Sequence, residues 1–375
     1  MRILHLHSSF AAGGKELRAA RLMNAFGRGI AHVVVSAQPG AHGAVAVLDK
    51  KLDVTFPDDF PSLQGKPLPG RLQRIARAMQ GFDLVLTYNW GAMDAVMAHT
   101  LFQGIHRLPP LVHHEDGFNE DEANGLKASR NWFRRIALGR TSALVVPSRR
   151  LESIALDTWQ QPRGRVQYIP NGIDLATYAN KPRADALPRV VKRPGERWLG
   201  TLAGLRPVKN LPRLVRAFAP LPEEWQLVIL GEGPEREAIR NEAMACGVAH
   251  RVHLPGFVAD PSQAVGLFDL FALSSDSEQF PISVVEAMAS GLAVASPAVG
   301  DVAQMVSGEN RPFITPAGDE AAFARTLEKL ATGEVLRAQI GAANRVHARA
   351  HYDAKSMITA YRTVYAQAMG RSAFP

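Results

Sequence analysis

The sequence predicts two doubly wound α/β domains, each a parallel sheet covered by helices on both faces. Three observations carry this. Short β-like runs alternate with amphipathic helical runs along all 375 residues, the pattern of βαβ units. Several runs, HVVVSA and QLVILG among them, are continuously apolar, as strands buried on both faces are. An aperiodic stretch rich in proline and charge at about 180–197, NKPRADALPRVVKRPGE, splits the alternation into halves and reads as a linker.

In the first half RILHLH, HVVVSA, LDVTF, FDLVLTY, PLVHHE, ALVVPS and RVQYIP read as strands. ELRAARLMNAFG, GRLQRIARAMQ, AMDAVMAHTLFQ and RRLESIALDTW read as helices between them. In the second half RWLGTLAG, QLVILG, RVHLPG, DLFALSS and LAVASP read as strands, and NLPRLVRAFA, EREAIRNEAMA, PISVVEAMAS and EAAFARTLEKLA as helices. The tail DAKSMITAYRTVYAQAMG is one more helix. The expected domains are 1–185, 196–354 and a final helix, 355–375, that returns to the first domain. A ligand is expected where the C-terminal strand edges of both sheets face a shared cleft.

Composition narrows the class. Hydrophobic residues make up 46% of the chain and mean hydropathy is -0.08, which fits a globular protein with a sizeable core. A single cysteine, Cys246, forbids an internal disulfide and suits a reducing compartment. The apolar opening is short, contains His5 and His7, and meets a glycine turn rather than a cleavage site. No run is long enough to span a bilayer. A cytoplasmic protein is expected, free or on the inner face of the membrane. The net charge is +8, and residues 1–185 hold 23 Lys and Arg against 16 Asp and Glu, so the basic excess lies in the first half. Such a field attracts nucleic acid, anionic lipid or an anionic substrate. No nucleic-acid module is present, which disfavours the first.

The strongest chemical signal is SSDSEQFPISVVEAMASGLAVASP, residues 274–297. A strand ends at Ser274-Ser275, a loop carries Glu278, Pro281 opens a helix and Gly291 closes it. The loop at Gln279-Phe280-Pro281 points toward a helix N-terminus, a place for anionic or hydroxyl oxygens. Glu278 and Glu286, eight apart, can each accept from the two hydroxyls of a sugar or ribose diol. Two solvated glutamates are the plain alternative. Val284, Val285, Ala287 and Met288 around Glu286 argue against it.

This stretch resembles the E-x7-E signature of retaining glycosyltransferases of family-4 type, which have the GT-B fold of two Rossmann-like domains. The resemblance extends over nearly the whole chain: IPNGID at 169–174 matches the family's turn before the linker, and QLVILGEGPER and VHLPGF match two further strand ends. It implies a nucleotide-sugar donor, usually UDP-linked, bound mainly by the second domain. Glu286 would hold the ribose hydroxyls, and Glu278 would sit by the donor sugar near the reaction centre. The backbone of Phe280 and Pro281 would help hold sugar and diphosphate, and the backbone near Phe257 would face the base.

A second cluster, GTLAGLRPVKNLPRL at 200–214, sets Arg206 and Lys209 around a proline turn before a helix. Two cations beside a helix N-terminus form a diphosphate site and stabilise a departing nucleoside diphosphate. The family's usual Arg follows a glycine further upstream, where this chain has Gly204; Arg206 would take the role from a shifted position.

The third cluster is PLVHHEDGFNEDE, 110–122. The family places a His at this strand end against the donor sugar, and either His113 or His114 matches. Asp116 could orient or deprotonate an acceptor hydroxyl; the acids after it read as a solvated loop. Near the N-terminus, SSFAAGGKEL fails as a P-loop, because Ser9 stands where the first glycine belongs and Glu16 follows Lys15. In the glycosyltransferase reading Gly13 and Gly14 let the backbone approach the donor's diphosphate and sugar from the first domain. Lys15 is either a surface charge or an acceptor contact.

GRLQRIARAMQ lines up Arg71, Arg74 and Arg77, and NWFRRIALGR adds Trp132, Phe133, Arg134, Arg135 and Arg140. Basic and aromatic residues so interleaved suit an interfacial helix on anionic lipid, or simply a solvated basic face. A strand-end Asp-x-Asp metal motif is absent, Asp58-Asp59 lying in a proline-bounded loop. The expectation is a metal-independent, cofactor-free transfer to a glycan or lipid-linked hydroxyl in cell-surface polysaccharide or glycolipid synthesis. A nucleotide-sugar epimerase or phosphorylase of the same fold, and a non-catalytic nucleotide-sugar-binding protein, are the alternatives.

Overall fold

A computed structural model describes residues 1–118, 120–122 and 125–375. The chain divides into two compact units, Met1–Asn171 with Ser356–Pro375, and Gly172–Lys355.

The first unit holds seven strands: β1 Arg2–His7, β2 Ala31–Ser36, β3 Asp53–Thr55, β4 Leu84–Tyr88, β5 Leu111–His114, β6 Ala143–Val146 and β7 Val166–Tyr168. They form one sheet in the order β3-β2-β1-β4-β5-β6-β7, every pairing parallel. β1 is buried on both faces from Ile3 to His7, its two histidines included, as a strand inside a helix-covered parallel sheet is. One face packs on Leu4, Leu6, Ile75, Val96 and Trp159, the other on Ile3, Leu22, Met23, Tyr361 and Tyr365. Tyr361 and Tyr365 come from the final helix, Ala354–Ala368.

The second unit holds β8 Arg197–Leu202, β9 Trp225–Leu230, β10 Val252–Gly256, β11 Leu270–Ala272, β12 Val294–Pro297 and β13 Ile314–Thr315. Their order is β10-β9-β8-β11-β12-β13, again all parallel. Each sheet reverses its winding once, between β1 and β4 and between β8 and β11. Ligands of doubly wound sheets bind beyond the C-terminal strand ends at such reversals.

The stretch at 180–197 is packed into the second unit. Leu187 is 3% exposed in its core, and Lys192 pairs with Asp269 at 2.6 Å. Elements that went unread in the sequence include β13, only two residues long, and the helices Val302–Met305 and Glu334–His351. Among the described residues no helix is long and apolar enough to cross a membrane.

Candidate functional site

The site of the second unit grows from the β8/β11 reversal. After β8 the chain enters a short 3-10 turn, Pro207–Lys209, and then the helix Leu211–Phe218, capped by the Asn210 side chain on the Arg213 N–H. After β11 it runs through Ser274, Ser275 and Asp276. Five contacts stitch these segments together. The Ser274 hydroxyl donates to the Lys209 carbonyl at 2.9 Å, and the Asp276 N–H to the Val208 carbonyl at 2.8 Å. Arg213 donates to the Ser274 carbonyl at 2.5 Å and pairs with the Asp276 carboxylate, which also accepts from Asn210 at 3.1 Å.

This seam fixes Lys209, whose ammonium lies 2.5 Å from Glu278 Oε1. The Ser275 hydroxyl donates to the same oxygen at 2.7 Å. The other oxygen of Glu278 takes no hydrogen bond among the described residues, which leaves it open to an incoming hydroxyl. Arg206 begins the turn that carries Lys209, is exposed, and has no ion-pair partner among the described residues.

The loop after Glu278 is braced from behind. Phe280 is buried with its ring edge-on to Tyr352 at 5.6 Å. Pro281 is the N-cap of the helix Ile282–Ala289, and no side chain caps that N-terminus, so its N–H groups remain available to an anion. Gly300 (φ 54°) backs the loop: a Cβ there would lie 2.6 Å from the carbonyl oxygens of both Glu278 and Gln279. Glu286, one turn into the helix, is 8% exposed and accepts from the Tyr178 hydroxyl at 2.9 Å. Phe257, directly after β10, is exposed. The second unit thus gathers Lys209 and Glu278, with Arg206, Phe280, Pro281 and Glu286 on the same or the next element.

The first unit departs from expectation at several residues. Gly13 does cap the helix Gly14–Phe26, but the carboxylate of Glu16 folds back over that start, 2.6 Å from where a Gly13 Cβ would stand. Its own carboxylate, at the third helical position, faces the helix N-terminus there. Lys15 pairs with that Glu16. Asp116 is held by both guanidinium nitrogens of the buried Arg18, which also donates to Asn171 at 3.0 Å. Both oxygens of that carboxylate are thereby occupied by one guanidinium.

His113 and His114 were expected to put one ring on a donor. Both are buried, at 0% and 1% exposure, and they point to opposite faces of the sheet. His113 Nδ1 lies 2.8 Å from the Thr87 hydroxyl. His114 uses Nδ1 on the Thr87 carbonyl and Nε2 on the Tyr365 hydroxyl, at 3.1 and 2.9 Å. Its ring therefore anchors the final helix.

The acids downstream are not all solvated either. Glu122 is buried and accepts from Arg134 at 3.1 and 3.2 Å and from Arg130 at 2.9 Å. Arg134 is fully buried among the rings of Trp90, Phe118 and Trp159. Residues 119, 123 and 124 of this loop lie outside the described residues. Among the described residues no three His, Cys, Asp or Glu side chains cluster as metal ligands would.

Comparison with known proteins follows the same division of the chain. Residues 12–177 match the family model "Glycosyltransferase Family 4", and residues 184–347 match "Glycosyl transferases group 1". A D-inositol 3-phosphate glycosyltransferase of Xylanimonas cellulosilytica is 31% identical over 62% of this chain and 58% of its own length. The chain thus spans little more than half of that relative. A GDP-mannose-dependent alpha-mannosyltransferase of Mycobacterium tuberculosis is 26% identical over 69% of this chain and 68% of its own. Among solved structures, Anabaena HepE in complex with UDP superposes with a TM-score of 0.78 at 21% identity, over 96% of this chain and 98% of that one. At that identity the likeness speaks for the fold: two Rossmann-like units of the GT-B type.

Proposed function

Because the chain belongs to the family-4 type of GT-B glycosyltransferases, we propose that it moves a sugar from a nucleotide sugar to a hydroxyl of a glycan or lipid-linked acceptor, with retention at the anomeric carbon. The observation that carries the reading is the Lys209–Glu278 pair at the β8/β11 reversal, with Glu286 one helix turn further on.

In this reading Glu286, oriented by Tyr178, binds the ribose diol, and the free oxygen of Glu278 binds a hydroxyl of the donor sugar. The N-terminus of Ile282–Ala289 and the cations of Arg206 and Lys209 face the diphosphate. The bond from the anomeric carbon to the diphosphate oxygen breaks as the bond to the acceptor oxygen forms on the same face. The acceptor proton passes to the leaving phosphate oxygen. Charge builds on the diphosphate in this step, and the two cations stabilise it more in the transition state than in the ground state. They do the work that a divalent ion does elsewhere, so no metal is required.

UDP is the preferred nucleotide. HepE, the structural neighbour, is seen with UDP, while the mycobacterial relative's GDP-mannose makes GDP the competitor. An epimerase of the same fold is disfavoured, since both matching family models are glycosyltransferase models. The test is a thermal-shift screen of UDP- and GDP-sugars, followed by product NMR with the stabilising donor and candidate acceptors. Stabilisation by one donor and an anomeric configuration equal to the donor's is expected. Inversion, or sugar conversion without an acceptor, overturns the reading.

A further inference from the structure

Three helices, Pro69–Ala78, Met93–His106 and Ala128–Ala137, lie side by side over one face of the first unit's sheet. Their inner sides bury Leu72, Ile75, Val96 and Ala137. Their outer sides keep large apolar groups in water. Leu101 and Ile105, one turn apart, are 52% and 70% exposed; Trp132 and Ile136, also one turn apart, are 61% and 50% exposed. The Thr100 hydroxyl donates to the Ala137 carbonyl at 2.5 Å, which joins these two helices one residue from Leu101 and one residue from Ile136.

The same face is strongly basic. Arg74, Arg77, Arg107, Arg135 and Arg140 are all exposed, and none has a carboxylate partner among the described residues. The acids nearby are spent on other arginines, Asp94 on Arg71 and Glu122 on Arg130 and Arg134. Arg135 lies over the Trp132 ring at 5.2 Å, so cation and indole form one amphipathic unit. Arg71, Arg134 and Phe133, which the sequence grouped with this face, leave it: Arg71 is paired, Arg134 is buried, and Phe133 packs against Trp90.

We propose that this three-helix face seats the first unit on an anionic lipid surface. Trp132, Ile136, Leu101 and Ile105 enter the headgroup region, and the five arginines meet lipid phosphates. A second copy of the chain is a poor occupant, because a two-fold contact would set the same arginines against each other. The seating is independent of which sugar or acceptor the enzyme uses.

The test is co-sedimentation of the full chain with vesicles of phosphatidylcholine alone and of phosphatidylcholine mixed with phosphatidylglycerol. Binding to the mixed vesicles only, weakening as salt rises, is expected. The combined variant Arg77→Gln, Arg135→Gln, Arg140→Gln lowers that partition by roughly 100-fold. Trp132→Ser with Ile136→Ser lowers it by roughly tenfold or more, and Arg349→Gln, on the second unit, leaves it unchanged. All these side chains are exposed, so thermal unfolding and nucleotide binding stay as in the parent. Equal binding to both vesicle types, no binding, or no response to the combined variant overturns the proposal. So does lipid-free self-association that the Trp132 and Ile136 changes abolish, which would make a second copy the occupant.

Discussion

The ammonium of Lys209 lies 2.5 Å from a carboxylate oxygen of Glu278, although the two residues sit on loops that follow different strands of the second sheet. The pair makes each group a partner that donor binding must reckon with. In the proposed reading, a diphosphate arriving at Lys209 would compete with Glu278 for its charge, and the released carboxylate would become a stronger acceptor for sugar hydroxyls. Lys209→Ala is therefore expected to lower kcat by about 100-fold or more. Glu278→Ala should lower transfer by a similar factor through loss of the sugar contact. Both side chains are partly exposed, so the melting temperature should move by only a few degrees. Steady-state kinetics beside thermal unfolding checks both; turnover retained in either variant removes that residue from the site.

Tyr178 and Glu286 meet across 108 residues of chain, hydroxyl to carboxylate at 2.9 Å. If Glu286 binds the ribose, Tyr178 acts by orienting it. Tyr178→Phe keeps the ring and deletes one hydrogen bond, a change of about 0.5–1.5 kcal/mol. Nucleotide affinity and donor KM should weaken roughly three- to tenfold, with kcat near the parent value. Calorimetric titration of UDP into both proteins reads this directly. A fall in kcat at constant KM would place Tyr178 in the chemical step instead.

Gly300 is the support of the Glu278 loop. Its φ of 54° is strained for any side chain, and a Cβ would press on two carbonyl oxygens at 2.6 Å. Gly300→Ala should destabilise the second unit by about 1–3 kcal/mol and displace the loop that carries Glu278. Donor affinity should fall well beyond what the stability loss accounts for. Normal affinity in a folded Gly300→Ala protein would show that the loop's position is not set from behind.

Legibility in the sequence followed locality. Glu278, Phe280, Pro281 and Glu286 lie within nine residues of one another, so a single stretch singled them out as candidates, and the turn at Arg206 and Lys209 is equally compact. In the first unit the decisive contacts are remote: Arg18 finds Asp116 98 residues away, and His114 finds Tyr365 251 residues away. No local pattern reveals such pairs, and without them Asp116 read as a group to orient or deprotonate an acceptor hydroxyl and either His113 or His114 as a donor contact. The unread helix Glu334–His351 has a similar cause. Arg337 and Asn344 are among the residues it turns inward. Arg337 donates to the carbonyls of Leu330 and Ala331, and Asn344 to Leu292 and Asn310. These two polar residues interrupt the apolar stripe that Ile340 and Ala348 would otherwise mark.

Acid should unfold the protein early, and the first sheet says why. His5, His7 and His114 are buried, and burial is the largest cause holding each well below the usual histidine value; His32 lowers His5 further, and Arg18 lowers His7 and His114. Lys15 also acts on His7. His32 falls to about 4, chiefly through burial, with Asp53 opposing. Neutral when folded, these rings take up protons near pH 6.5 when unfolded. Their contribution to stability is thus complete above about pH 6.5 and is lost as pH falls from there through the folded values. Each ring in that window contributes a slope of about 1.4 kcal/mol per pH unit, and several together consume a large part of a normal 5–15 kcal/mol stability. His7 offers the cleanest check. Neither of its ring nitrogens has a hydrogen-bond partner among the described residues, and its ring stacks on Tyr88 at 3.9 Å. His7→Phe keeps the stack and removes one protonation site, so stability at neutral pH should hold or rise while its decline toward pH ~5 becomes shallower. Urea unfolding of parent and variant across that range decides it; parallel declines would mean that His7 is not among the groups that titrate on unfolding.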